Sequence, residues 1–95
     1  MKTHTFSLAA ALLLVAPASG QTPNTVFLDE LTWMEVVDKI DAGTTTIIVA
    51  TAGTEQNGPH MVLGKHNYLV KYKAGEIANQ LGDTLVAPVV AYVPE

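Results

Sequence analysis

Residues 44–70 read TTTIIVATAGTEQNGPHMVLGKHNYLV, and the changes of character along this stretch decide the fold. Thr44 to Ala52 is rich in threonine, isoleucine and valine, side chains that suit a pleated strand. Its centre, Ile47 to Ala50, is continuously apolar, which predicts a strand covered on both faces, as in a parallel sheet. The end of the stretch opens a helix that the spacing predicts over Asn67 to Leu81. Between strand and helix lies TEQNGPHMVLGKH, Thr54 to His66. Glycine and proline break it, and it carries Glu55, Asn57, His60 and His66. The chain has three histidines and 15% charged residues, so two histidines and a carboxylate in one loop call for a chemical reason.

Working outward, the helix after the loop offers Leu69, Val70, Ile77, Ala78 and Leu81 to a buried side, with Tyr72 and Ala74 at its edges. Lys71, Lys73, Glu76, Asn79 and Gln80 fall on the solvated side. Gly75 inside a helix costs about 1 kcal/mol against alanine, so it marks a close packing contact. Gly82 and Asp83 end the helix. Thr84 to Ala87 reads as a second short apolar strand stopped by Pro88, and Val89 to Val93 either extends it or begins a loop. Strand, helix and strand form a crossover unit, whose strands are expected parallel and whose hand is expected right.

Upstream, LTWMEVVDKIDAG (Leu31 to Gly43) carries a helix start. Thr32 can cap, and Glu35 three residues on completes a capping box. Trp33, Val36, Val37 and Ile40 share one face, and Trp33 is expected in a core or an interface. Gly43 is placed to end the helix in a left-handed conformation. The first residues, MKTHTFSLAAALLLVAPASG, run from basic Lys2 through an apolar stretch to small residues. That is the layout of a secretory signal peptide over residues 1–20, and the apolar run is short of the roughly 20 residues of a membrane span. The product is therefore expected to be exported, periplasmic or secreted, with no stable membrane anchor. Residues 21–95 read as the front part of a larger α/β domain, because two strands cannot close a doubly covered sheet.

Composition removes several classes. The chain carries five Lys/Arg, nine Asp/Glu and a net charge of −4. Losing residues 1–20 removes one lysine and no acid and takes the charge to −5. There is no arginine, which argues against a nucleic-acid surface. There is no cysteine, hence no disulfide and no thiolate zinc site. No serine follows Ser19, so a serine-nucleophile hydrolase is excluded from this stretch. The segment Gly53 to Gly58 has the glycine spacing of a phosphate loop. Pro59 and His60 replace its lysine and hydroxyl, and Glu55 would repel a phosphate.

The loop leaves the carboxyl end of a strand, where open α/β sheets place their ligands. Glu55, His60 and His66 supply a carboxylate and two imidazoles, and Asn57 adds a neutral oxygen. That donor set suits zinc, manganese or iron. The alternative is a polar surface loop whose histidines cap the next helix or bond to backbone.

Here the sequence resembles the creatininase (creatinine amidohydrolase) family, from about Leu31 to Pro94. The family's leucine-threonine-tryptophan helix start corresponds to Leu31-Thr32-Trp33. Its Glu-Gln-His-Gly-Pro-His signature corresponds to Glu55-Gln56-Asn57-Gly58-Pro59-His60, and Leu63-Gly64 continues the line. Leu81-Gly82 and Leu85-Val86-Ala87-Pro88 match as well. The resemblance implies an α/β fold, the N-terminal part of a layered α/β/α creatininase-like domain with a mainly parallel sheet. It implies a metal-dependent hydrolase of C–N bonds in small cyclic or linear amides, with zinc or manganese, assembled as a homo-oligomer. Glu55 matches a metal ligand of the family, and His60 matches the signature histidine, assigned here to catalysis. Two positions depart from the pattern. Asn57 stands where the family has histidine, and His66 stands where it has the aspartate that bridges two metals. A carboxylate can bridge two cations where an imidazole serves one, so a single ion is expected, with Glu55, His66 and Asn57 as the metal residues of this stretch, Asn57 a weak neutral ligand, and a further ligand downstream. The other reading is a non-catalytic relative that keeps the fold and uses the loop for ligand binding or assembly.

Overall fold

The computed structural model describes residues 2–3 and 22–94. The signal-peptide reading of residues 1–20 therefore falls outside the described residues, Lys2 and Thr3 apart. After a 3-10 turn at Leu28–Glu30 come helix α1 (Trp33–Asp41), strand β1 (Thr46–Ile48), helix α2 (Lys65–Leu81) and strand β2 (Thr84–Val86).

Local chemistry sets the helix ends. Thr32 is extended, and its hydroxyl accepts the Glu35 N–H at 3.3 Å. The Glu35 carboxylate in turn accepts the Thr32 N–H at 2.6 Å, closing the capping box that Thr32 and Glu35 foreshadow. Gly43 follows the last turn with φ +111°, and Gly82 closes α2 with φ +81° while its N–H donates to the Ala78 carbonyl. Thr32→Ala is expected to destabilise the protein by about 1 kcal/mol. Chemical denaturation measures this, and an unmoved midpoint would count against the cap.

β1 and β2 pair in parallel, with Thr46 opposite Thr84 and Ile48 opposite Val86. A third segment flanks β2 on its other side, where the Val86 N–H donates to the Val26 carbonyl at 2.7 Å and Phe27 bridges Val86 in parallel. Beyond β1 the pairing resumes as a parallel bridge between Thr51 and Val90. The Ala52 N–H donates to the Val90 carbonyl and the Val90 N–H to the Ala50 carbonyl. Part of the Val89–Val93 segment thus extends the pairing.

The strand covered on both faces is β2, buried throughout, and not β1, which the sequence predicted. Ile47 and Val49 remain 51% and 60% exposed. The reason is position. β2 lies between β1 and the Val26–Phe27 segment, whereas β1 is an edge among the described strands. On one face α2 packs against β2, and a small core of Ala50, Ala74, Ala78 and Val86 forms, joined by Phe27, Ile48 and Val70. On the other face Val36 and Ile40 of α1, with Leu28, Ile47 and Leu85, line an open groove of about 300 Å³. Helix, sheet and helix thus stack as layers of an α/β fold.

Two packing expectations resolve here. Of the core and interface alternatives for Trp33, its 76% exposure removes the core: it sits at the first position of α1, outside the groove lining. The buried stripe of α2 is Val70, Ala74 and Ala78, spaced by four, with Gly75 alongside. Leu69, Ile77 and Leu81, expected on that side, are exposed. Small residues win the inner face because they let the helix axis approach β2 and Phe27. A Cβ on Gly75 would lie 2.7 Å from Phe27 Cζ, which is the close contact that its place in a helix implies. Lys71, one turn before Gly75, holds its Nζ 4.8 Å from the centre of the same ring.

Candidate metal centre

The loop begins two residues after the Ala52–Val90 hydrogen bond and ends in the first turn of α2. α2 starts at Lys65, two residues earlier than the sequence predicted, because the chain turns at Val62–Lys65 and Gly64 takes the N-cap position. His66 thereby becomes the second helical residue. No side chain caps this helix; the His66 imidazole meets Glu55 instead, Nε2 to Oε1 at 2.9 Å. Both side chains are about one-third exposed, so the pair is open to solvent on one side.

Asn57 approaches the same carboxylate, its Nδ2 donating to Glu55 Oε1 at 3.5 Å. Its amide thus borders the Glu55–His66 pair. Gln56 turns back on the loop, its carbonyl oxygen accepting the Gly58 N–H at 3.1 Å. Gly58 adopts φ +85°, and the ring of His60 lies against it, 3.2 Å from where a Cβ would stand. Both the backbone and the ring need glycine there. His60 is exposed on this turn. Among the described residues no three of His, Cys, Asp and Glu converge, so His60 does not complete a cluster with Glu55 and His66.

Tested against a divalent cation, this donor set fits part of a coordination shell. A carboxylate oxygen and an imidazole nitrogen converge from two elements, and both are donor types that zinc and manganese accept. The rest of a shell must come from water or from other residues. Two further residues, Thr54 and Asn67, join the loop to the helix, with Asn67 Nδ2 donating to Thr54 Oγ1 at 3.1 Å. The sequence reading passed over both, since Thr54 stands before the Glu55 signature and Asn67 reads as the start of the next helix. An asparagine beside His66 at a helix start was the signal that could have found the link.

The parallel α/β layer places a paired carboxylate and imidazole beyond the carboxyl end of β1, the end at which open α/β sheets hold their ligands. Comparison with known proteins makes the class specific. The family described as creatininase, creatinine amidohydrolase, matches residues 29–95. A solved structure of a tryptophan-to-alanine mutant creatininase is similar at 31% identity and a TM-score of 0.64, covering 72% of this chain. The chain belongs to the creatininase family. It spans 26% of the length of that creatininase. No curated protein matches it.

Proposed function

We propose that this protein serves as an exported, metal-dependent amidohydrolase that cleaves a C–N bond in a small cyclic or linear amide. The observation that carries the reading is the Glu55–His66 pair at 2.9 Å, set on the signature loop of a creatininase-family chain. Glu55 and His66 would hold one zinc or manganese ion, with a further ligand from outside the described residues. In sites of this kind the cation polarises the scissile carbonyl and makes water a competent nucleophile near neutral pH. Asn57, 3.5 Å from the Glu55 carboxylate, would complete the site beside it. His60, exposed on the neighbouring turn, would pass a proton to the leaving nitrogen.

A second reading has its own support. Among the described residues no three-donor cluster forms, and Asn57 stands where the family signature has an imidazole. A non-catalytic relative that binds a ligand or assembles through this loop is consistent with both facts. Assay of the complete protein on a panel of small cyclic and linear amides separates the readings. Amine release that disappears on chelation and returns with zinc or manganese supports the hydrolase. Stoichiometric metal with no turnover of any amide supports the second reading.

The family reading also carries homo-oligomerisation, and the 76% exposed Trp33 is one aromatic side chain available for such a contact. No helix among the described residues is long and apolar enough to cross a membrane. Export is expected to remove the leader, leaving a mature chain that starts near Ser19 or Gln21. Intact-mass measurement of the exported protein tests this, and a product still starting at Met1 would refute it.

A further inference from the structure

Thr54 and Asn67 flank the Glu55–His66 pair, one residue before the carboxylate and one after the imidazole. Their side chains meet as well. Asn67 Nδ2 donates to Thr54 Oγ1 at 3.1 Å, and the Thr54 hydroxyl donates to the Ala91 carbonyl at 2.8 Å. This relay fixes the orientation of the amide. Thr54 has a single hydroxyl proton, and Ala91 takes it. Oγ1 is then an acceptor only, and it must face the N–H of Asn67. The Asn67 oxygen is left buried without a hydrogen-bond partner.

Stability does not account for such an amide. The penalty for a buried, unpaired acceptor is at least as large as the net gain from one neutral hydrogen bond. Placement accounts for it better. Two links at adjacent residues, Thr54–Asn67 and Glu55–His66, tie the same end of the loop to the first turn of α2. Thr54 is itself anchored to the segment that pairs beyond β1.

We propose that Asn67 is a positioning residue, which through Thr54 fixes the backbone before Glu55 to the first turn of α2 and so sets the separation of Glu55 and His66. The consequence for metal affinity rests on the metal-site reading above; the consequence for the His66 ring does not.

The test uses the complete protein with ¹⁵N-labelled histidine, first metal-free. Glu55→Gln is expected to shift the His66 ring nitrogens. Asn67→Ala and Thr54→Val are each expected to shift them in the same direction, and the double variant no further than either alone. Thr54→Ser, which keeps the hydroxyl, is expected to restore the wild-type signals. In a zinc titration Asn67→Ala and Thr54→Val should bind about 10–100-fold more weakly, the usual loss on removing a group that orients a ligand. A His66 ring unmoved by both Asn67→Ala and Thr54→Val overturns the proposal, as does a ring insensitive to Glu55→Gln. If Asn67→Ala fails to fold, the comparison of Thr54→Val with Thr54→Ser decides. If the wild-type protein takes no zinc, the metal reading fails and the ring comparison still decides this one.

Discussion

Glu55→Gln in the complete protein is expected to cut amide hydrolysis by more than about a hundredfold, beyond the loss typical of outer-shell changes at metal sites. Glutamine keeps the shape of the side chain and removes its charge. The Oε1 atom that meets His66 Nε2 at 2.9 Å then becomes a weak neutral donor to a cation. The fold should hardly notice, because the substitution keeps the side chain's size and both partners are about one-third exposed. Loss of turnover with an unchanged melting midpoint is therefore the expected pairing of results. Turnover within a few-fold of wild type would remove Glu55 from the metal site.

Gly75→Val is expected to destabilise the protein by about 2–3 kcal/mol. The Cβ alone would lie 2.7 Å from Phe27 Cζ, and the two methyls beyond it add to the overlap with that ring. Valine regains a few tenths of a kcal/mol of helix propensity over glycine, which is too little to offset the overlap. The Phe27 ring must swing aside, and its contact with Lys71 at 4.8 Å, of the order of 0.5–1 kcal/mol, goes with it. Against a total stability of about 5–15 kcal/mol for a typical protein this is a large fraction. Chemical denaturation reads it directly. Phe27→Leu in the same chain should recover part of the loss, and a midpoint unchanged by Gly75→Val would mean the ring does not cover this glycine.

What the sequence reveals here depends on how far apart the interacting residues are. The Thr32–Glu35 box and the glycine helix ends at Gly43 and Gly82 are visible because each is decided within a few residues. Parallel pairing of β1 and β2 is visible because a strand, a helix and a strand in that order leave little choice. Which strand is central is not visible. Ile47–Ala50 looks more buried than Thr84–Val86, yet Val26 and Phe27, distant in sequence, dock on β2 and make it central. The inner face of α2 is misleading for a similar reason. A hydrophobicity pattern favours Leu69, Ile77 and Leu81, whereas close approach to Phe27 and β2 favours Ala74, Gly75 and Ala78.

The candidate site divides the same way. Glu55, Asn57, His60 and His66 stand out by residue type in one short loop. The contact between Glu55 and His66 depends on the early start of α2, which turns His66 back over the loop. The Thr54–Asn67 link spans thirteen residues and uses side chains with no chemical signature of their own, so only the fold reveals it. The exposed position of His60 over Gly58 follows from a left-handed turn, and there the glycine was the clue.

If Glu55 and His66 hold one divalent cation, metal analysis of the purified complete protein, with His66→Ala prepared beside it, should show it. One equivalent of zinc or manganese per chain is expected, lost in His66→Ala. Two equivalents per chain, or metal content unchanged in His66→Ala, would contradict it.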